Sequence, residues 1–200
     1  TLASGAELLR FDQPIALGDA EAMAATVSRL DGVRYAAPNR TIRPQAVPTD
    51  PEFSFQWGFQ YVPGSMEGAN FTSAWDITTG SSAQTIGIID SGISGSNEEF
   101  AGQLRIDPLF PNGGYDFYSA AATSSDGDGR DDDPEQAPST CGHGNHVAGT
   151  IGARTAFSGS GTGVAGGASA SKLLIARALN FIGTDADAID AMHWMAGDTV

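Results

Sequence analysis

Lysine is all but missing from this chain, with Lys172 the single example, and Cys141 is the single cysteine. Cations of either kind are scarce: ten lysines and arginines stand against 24 aspartates and glutamates, a formal charge of −14. Binding to nucleic acid or to an anionic membrane surface depends on clustered cations, so this balance excludes both. No apolar run approaches the roughly 20 residues that a spanning helix needs. One cysteine cannot pair within the chain, so Cys141 is either a free thiol or half of a disulfide to sequence outside it. Position 1 is not methionine and Val200 follows directly on a helix-like pattern, so the expectation is a piece of a longer precursor. What is plentiful is glycine, 26 residues, in a 40% hydrophobic composition that suffices for a packed core. Acidity, glycine and the lack of lysine suit an exported protein, although a halophilic one would share these traits.

Residues 1–47 read as a small α+β unit. GAELLRF is strand-like, and DAEAMAATVSRL is helix-like, with Asp19 at its N-cap and Met23, Val27 and Leu30 on one face. VRYAAP reads as a short strand. Pro44, Pro48 and Pro51 then make TIRPQAVPTDPEF an extended, exposed linker. Beyond it, FTSAWDIT reads as a short helix, and QTIGIID as a buried strand between Gly80 and Ser91-Gly92. NHVAGTIGA reads as a tightly packed helix and SKLLIARAL as another strand. TDADAIDAMHWMAG reads as a helix with Thr184 and Asp187 as a capping box and Ile189, Met192 and Met195 on one face. Strands alternating with helices predict a parallel α/β sheet over residues 48–200. SSDGDGRDDDPEQAPST is polar, acidic and loop-like.

Asp90 ends a strand at a Ser-Gly turn, and carboxyl ends of strands are where ligands collect in an open α/β sheet. It can be a turn former, half of an aspartic-protease dyad, or the carboxylate that orients a histidine. In CGHGNHVAGT, the side chains of Cys141, His143 and His146 suggest a metal cluster. Cys-x-His is not a common zinc spacing, however, and the glutamate of a His-Glu-x-x-His site is missing.

Three blocks in order, TIGIIDSGI, GHGNHVAGTIGA and GTGVAGGASASKLLIARALN, resemble the subtilisin-like serine proteases, or subtilases. The resemblance covers about residues 50–200 and implies that family's parallel sheet flanked by helices, here in its N-terminal part. By position it implies that Asp90 is the triad aspartate and His143 the general base, with His146 structural and pointing into the fold. Gly144, Ala148 and Gly149 would let the helix approach the sheet. Asn145 stands where the family has threonine. The nucleophile block Gly-Thr-Ser-Met-Ala and a downstream oxyanion-hole asparagine are absent from the 200 residues, so this chain by itself is expected to be inactive.

The resemblance implies more. Residues 1–47 are similar to the C-terminal half of the family's propeptide, which would act as an intramolecular inhibitor, with maturation between Pro44 and Asp50. Leu179 and Gly183 would form a cleft edge for an extended polypeptide substrate. DGDGRDDDPE carries six carboxylates in ten residues, which either water and salt screen or a hard cation binds. Related secreted proteases carry calcium in such insertions, so a structural calcium on Asp126, Asp128, Asp131 and Asp133 is expected. The rivals are a non-catalytic subtilase-like binding module and an aspartic protease using Asp90. A zinc hydrolase is the third.

Overall fold

The computed structural model describes residues 7–13, 15–38, 47–61, 68–137, 142–159, 161–180 and 182–200. Cys141 and part of the expected maturation segment lie outside these. The chain divides into two compact units, Thr1–Pro44 and Gln45–Val200, close to the boundary expected at residue 47.

In the first unit, helix α1 spans Leu17–Val27. It starts before the expected cap: Ala16 is the N-cap, and Asp19 sits in the first turn. There its carboxylate complements the positive end of the helix dipole instead of capping it. No residue of α1 is buried, so the Met23 stripe covers no core within the unit. The described parts of GAELLRF and VRYAAP are not strands. A strand needs a ladder partner, and the link described here is instead a side-chain one, Ala36 N–H donating to Ser28 Oγ at 2.8 Å.

The second unit is built on three parallel strands, β1 (Thr85–Asp90), β2 (Gly114–Asp116) and β3 (Lys172–Arg177), in the order β1-β3-β2. Strand β2 was not foreseen, because three residues of GYD are too short to show a period. The register puts Asp90 beside Arg177 and Arg177 beside Asp116, so three charged residues share the carboxyl edge of the sheet.

Short helices α2 (Phe71–Trp75) and α3 (Ala121–Ser124) precede the longer α4 (His143–Gly152) and α5 (Asp185–Ala196) in the chain. One sheet face packs Ile88, Leu173 and Ile175 against Ala148 of α4, with Val147 and Ile151 partly buried around them. The other packs Ala176 and Ala178 against Ala191 of α5, with Phe117, Trp194 and Met195. Each fully buried Leu or Ile contributes about 1.5–3 kcal/mol. A separate aromatic cluster, Phe53, Phe59, Phe71 and Trp75, closes over Ala165.

The small residues of α4 do what their sizes imply. A Cβ on Gly144 would meet the Gly92 carbonyl oxygen at 1.9 Å, and one on Gly152 would meet Leu173 Cδ2 at 2.8 Å. His146 departs from expectation: it is exposed on the outer side of α4. At 100° per residue it lies opposite Gly144 and Ala148, which take the sheet-facing side. Helix α5 is capped as expected, with Thr184 Oγ1 accepting from Asp187 N–H at 3.2 Å. Its buried positions, however, are Asp187 and Ala191, while Ile189 and Met192 are exposed.

Candidate active site

Asp90 and His143 arrive from different elements, 53 residues apart, at the end of β1 and the start of α4. His143 Nδ1 lies 2.7 Å from Asp90 Oδ1 and 3.0 Å from Oδ2. The Asp90 side chain is 8% exposed and that of His143 70% exposed. A carboxylate only accepts, so Nδ1 carries the proton and donates, and in neutral imidazole Nε2 is then left with a free lone pair. Among the described residues the ring's hydrogen bonds are those to Asp90, so Nε2 is available to a proton from outside them.

The turn after β1 locks Asp90. Ser91 N–H donates to Asp90 Oδ1 at 2.6 Å, and Gly92 follows with φ of 80°, where a Cβ would meet the Pro134 carbonyl oxygen at 2.6 Å. The Asp90 carbonyl accepts from Ala178 N–H at 2.9 Å and Leu179 N–H at 3.2 Å. That places the Leu179 backbone beside that of Asp90. Leu179 bridges Gly183 antiparallel, so the two residues expected to form a cleft edge face one another across a short turn. A side chain at Gly183 would collide with Leu179 Cδ2 at 2.3 Å.

A second imidazole–carboxylate contact, His193 Nδ1 to Asp198 Oδ2 at 2.7 Å, has a different character. Both partners are 59% exposed at the C-terminal end of α5, where water competes for the carboxylate.

The acidic loop is organised by arginines. Arg177, 1% exposed, pairs with Asp116, also 1% exposed, and with Asp126, and it donates to the Ser124 carbonyl. Arg130 spans Asp187 Oδ1 at 2.8 Å and Asp190 Oδ2 at 2.7 Å on α5 and donates to the Phe117 carbonyl at 3.1 Å. Burial would push the Asp187 carboxyl up, yet hydrogen bonds from Arg130, Thr184 and Ser119 hold it below the usual aspartate value. Asn180 Nδ2 donates to Ser125 Oγ at 3.1 Å, fastening the loop to the residue after Leu179.

The four carboxylates expected to bind calcium are not gathered. Asp126 faces Arg177; Asp131 Oδ1 accepts from Asp133 N–H at 2.9 Å, and Asp133 Oδ1 from Glu135 N–H at 3.0 Å. No group of three or more His, Cys, Asp or Glu suited to a metal occurs among the described residues. As a set, these four do not make a calcium site among the described residues, because Asp126 is taken by Arg177, Asp131 and Asp133 each give an oxygen to a loop N–H, and no three of them gather round one point.

Another pair of carboxylates has oxygens to spare. Asp50, 5% exposed, accepts from Ala156 N–H at 3.0 Å through Oδ2, while its Oδ1 is buried without a partner. Glu99 Oε2 is likewise buried without one, and burial raises the Glu99 carboxyl, with the nearby Asp50 charge adding to the rise. Gly161 and Gly163 close over them: added Cβ atoms would meet Asp50 Oδ1 at 2.3 Å and Glu99 Oε1 at 2.4 Å. Two neighbouring buried carboxylates, each with one unpaired oxygen and glycine backbone packed on it, are an oxygen-rich cradle that a cation or a proton would satisfy. Sequence reading missed both residues, since neither Asp50-Pro51 nor Glu98-Glu99 differs from an ordinary turn.

A buried carboxylate and an oriented, exposed imidazole at the carboxyl edge of a parallel sheet define a class: an α/β protein with a carboxylate–imidazole pair at its strand ends. Comparison with known proteins gives the family. The Subtilase family model matches residues 81–200. The whole chain aligns at 33% identity with an Extracellular protease of Xanthomonas campestris pv. campestris, covering 34% of that protein. Halolysin of Haloferax mediterranei is 34% identical over 86% of this chain and 29% of its own length. A solved protease structure from Pseudoalteromonas arctica matches 76% of this chain and 45% of that one, with a TM-score of 0.63 at 32% identity. The chain belongs to the subtilase family. It spans about a third of the length of the curated relatives it matches.

Proposed function

We propose that this chain is the N-terminal part of a secreted subtilisin-like serine endopeptidase, in which Asp90 orients His143 and His143 takes the proton of a serine supplied from beyond Val200. The observation that carries the reading is the 2.7 Å contact between a buried carboxylate and an exposed imidazole. In the proposed reaction the serine attacks a peptide carbonyl as Nε2 accepts its proton. Asp90 stabilises the imidazolium, and the proton returns to the leaving amine before the acyl-enzyme is hydrolysed. Leu179, whose N–H meets the Asp90 carbonyl, and its bridge partner Gly183 would present backbone to an extended polypeptide. Secretion is supported by relatives named extracellular, and no helix among the described residues is long and apolar enough to cross a membrane. The separate unit Thr1–Pro44 supports an inhibitory propeptide at the front. The test is inhibitor class on the parent protein. Peptidase activity should be lost to a fluorophosphonate and spared by a statine-type compound; the reverse would make Asp90 half of an aspartic dyad, and no activity would leave a binding module.

Calcium belongs to this proposal at a different place from the one expected. What supports it is the Asp50–Glu99 cradle with its unpaired oxygens, not the acidic loop. Calcium takes six to eight oxygens and accepts carbonyls alongside carboxylates. Removing an ion present at a hundred times its Kd forfeits about 2.7 kcal/mol, so EGTA should lower the melting temperature of the parent by roughly 5–10 °C. Asp50→Asn with Glu99→Gln should abolish that shift, whereas Asp128→Asn with Asp133→Asn should leave it. The opposite pattern returns the ion to the acidic loop, and no shift in any form defeats the calcium proposal.

A further inference from the structure

We infer that Asn145 is a positioning residue that sets His143 against Asp90, an inference that rests on the protease reading above. Asp90 and His143 lie on independent segments, so their contact depends on how the first turn of α4 registers against the turn after β1.

That register is held by two hydrogen bonds and one close approach. Gly144 N–H donates to Ser91 Oγ at 3.0 Å in a buried bond. Asn145 Oδ1 accepts from Ser94 N–H at 2.8 Å. Between them, Gly144 lies so close to the Gly92 carbonyl that no side chain fits. Ser91 also supplies the N–H that fixes Asp90 Oδ1, so one end of the turn is tied to the carboxylate itself. Asn145 ties the other end, three residues further on. With a single bond the α4 terminus could pivot about Ser91; with two, rotation and sliding are both stopped. His143 directly precedes Gly144, so any pivot there swings the imbalance straight into the imidazole.

Only the carbonyl oxygen of Asn145 is used in this bond, so the requirement is for an acceptor and not for an amide. Threonine keeps an acceptor, one bond nearer the backbone, while valine has the shape of threonine without one. The comparison of Asn145→Thr with Asn145→Val isolates the hydrogen bond, and Asn145→Ala repeats the loss without β-branching. Displacement of a catalytic group by ~1 Å from a remote change can cost about 10²-fold, and loss of one of two restraints is expected to cost roughly ten-fold.

The experiment is steady-state peptidase kinetics of the parent protein on a peptide anilide, with melting temperatures recorded alongside. Asn145→Val and Asn145→Ala should lower kcat roughly ten-fold with KM little changed, and Asn145→Thr should stay within about three-fold of the wild type. The acid limb of kcat/KM should move to lower pH in Val and Ala, because a looser Asp90 stabilises the imidazolium less; Asp90 is the charged group that bonds the ring. A merely structural Asn145 would lower the melting temperature and leave that limb unmoved. Equal kcat and equal acid limbs for Val and Thr would overturn the inference. A wild-type parent without fluorophosphonate-sensitive activity would instead remove the protease reading on which it rests.

Discussion

Replacing Arg177 by methionine is expected to destabilise the folded protein by about 3–5 kcal/mol, the cost of leaving a buried charge without its partner. Methionine keeps much of the volume and removes the guanidinium. Asp116, 1% exposed, then loses its ion pair and keeps chiefly the Tyr118 N–H, which donates to Oδ1 at 2.6 Å. Asp126 and the Ser124 carbonyl are released as well, so the loop loses its anchor to β3. Burial already holds the Asp116 carboxyl above its ordinary value, even against the Tyr118 hydrogen bond and the Arg177 charge. Without Arg177 it must rise further. A carboxyl whose folded pKa lies above the unfolded one contributes stability that is full below the unfolded value and is lost as pH rises through the folded one. The deficit of Arg177→Met should therefore be largest at neutral pH and shrink as the pH falls toward the aspartate range. Adding Asp116→Asn should recover part of it, by removing the uncompensated charge. Thermal unfolding of the parent protein across this pH range is the measurement. A deficit under about 1 kcal/mol, or one that does not change with pH, would contradict this account of the loop.

On the proposed reaction, His143→Ala in the parent protein should lower kcat by about 10⁶-fold, the magnitude that loss of the triad histidine has in subtilisin. That corresponds to roughly 8 kcal/mol of transition-state stabilisation. Asp90→Asn should cost less, about 10⁴-fold, since an asparagine in the orienting position favours the wrong imidazole tautomer without removing the base. The order of the two variants carries the argument. If Asp90 were half of an aspartic dyad, its amide would abolish turnover and the alanine at position 143 would be mild. Steady-state kinetics of the two variants, with circular dichroism to confirm that both fold, separate the two chemistries.

The sequence made the central strands legible because they depend on local pattern, whereas Asp90 and His143 were singled out together only through the resemblance of three ordered blocks to the subtilases. QTIGIID and SKLLIARAL are short apolar runs bounded by turn residues, and they became β1 and β3. Gly144, Ala148 and Gly149 mark the packed face of α4 by their size alone, and all three are buried. The failures are of another kind. His146 was expected inside the fold, yet the geometry of α4 turns it outward. Ile189 and Met192 form a good helical stripe, but so do Asp187, Ala191 and Trp194, and only the strands decide which stripe is covered. The acidic loop looked like a metal site because the sequence hides Arg177 inside an apolar strand, 51 residues after Asp126. A charge within the apolar run SKLLIARAL, at the buried end of β3, was the available signal, since such a charge must find a partner. Asp50 and Glu99 carry no local signal, because what sets them apart is the backbone of residues 161–163 folded over them.

The central claim is that the Asp90–His143 pair activates a serine that this chain does not itself contain. Its most direct test is a fluorophosphonate adduct mapped by mass spectrometry on the parent protein. The account predicts one modified serine beyond Val200, and no adduct in His143→Ala under the same conditions. An adduct on any residue of the 200 described by this sequence, or equal labelling with His143 removed, would contradict it.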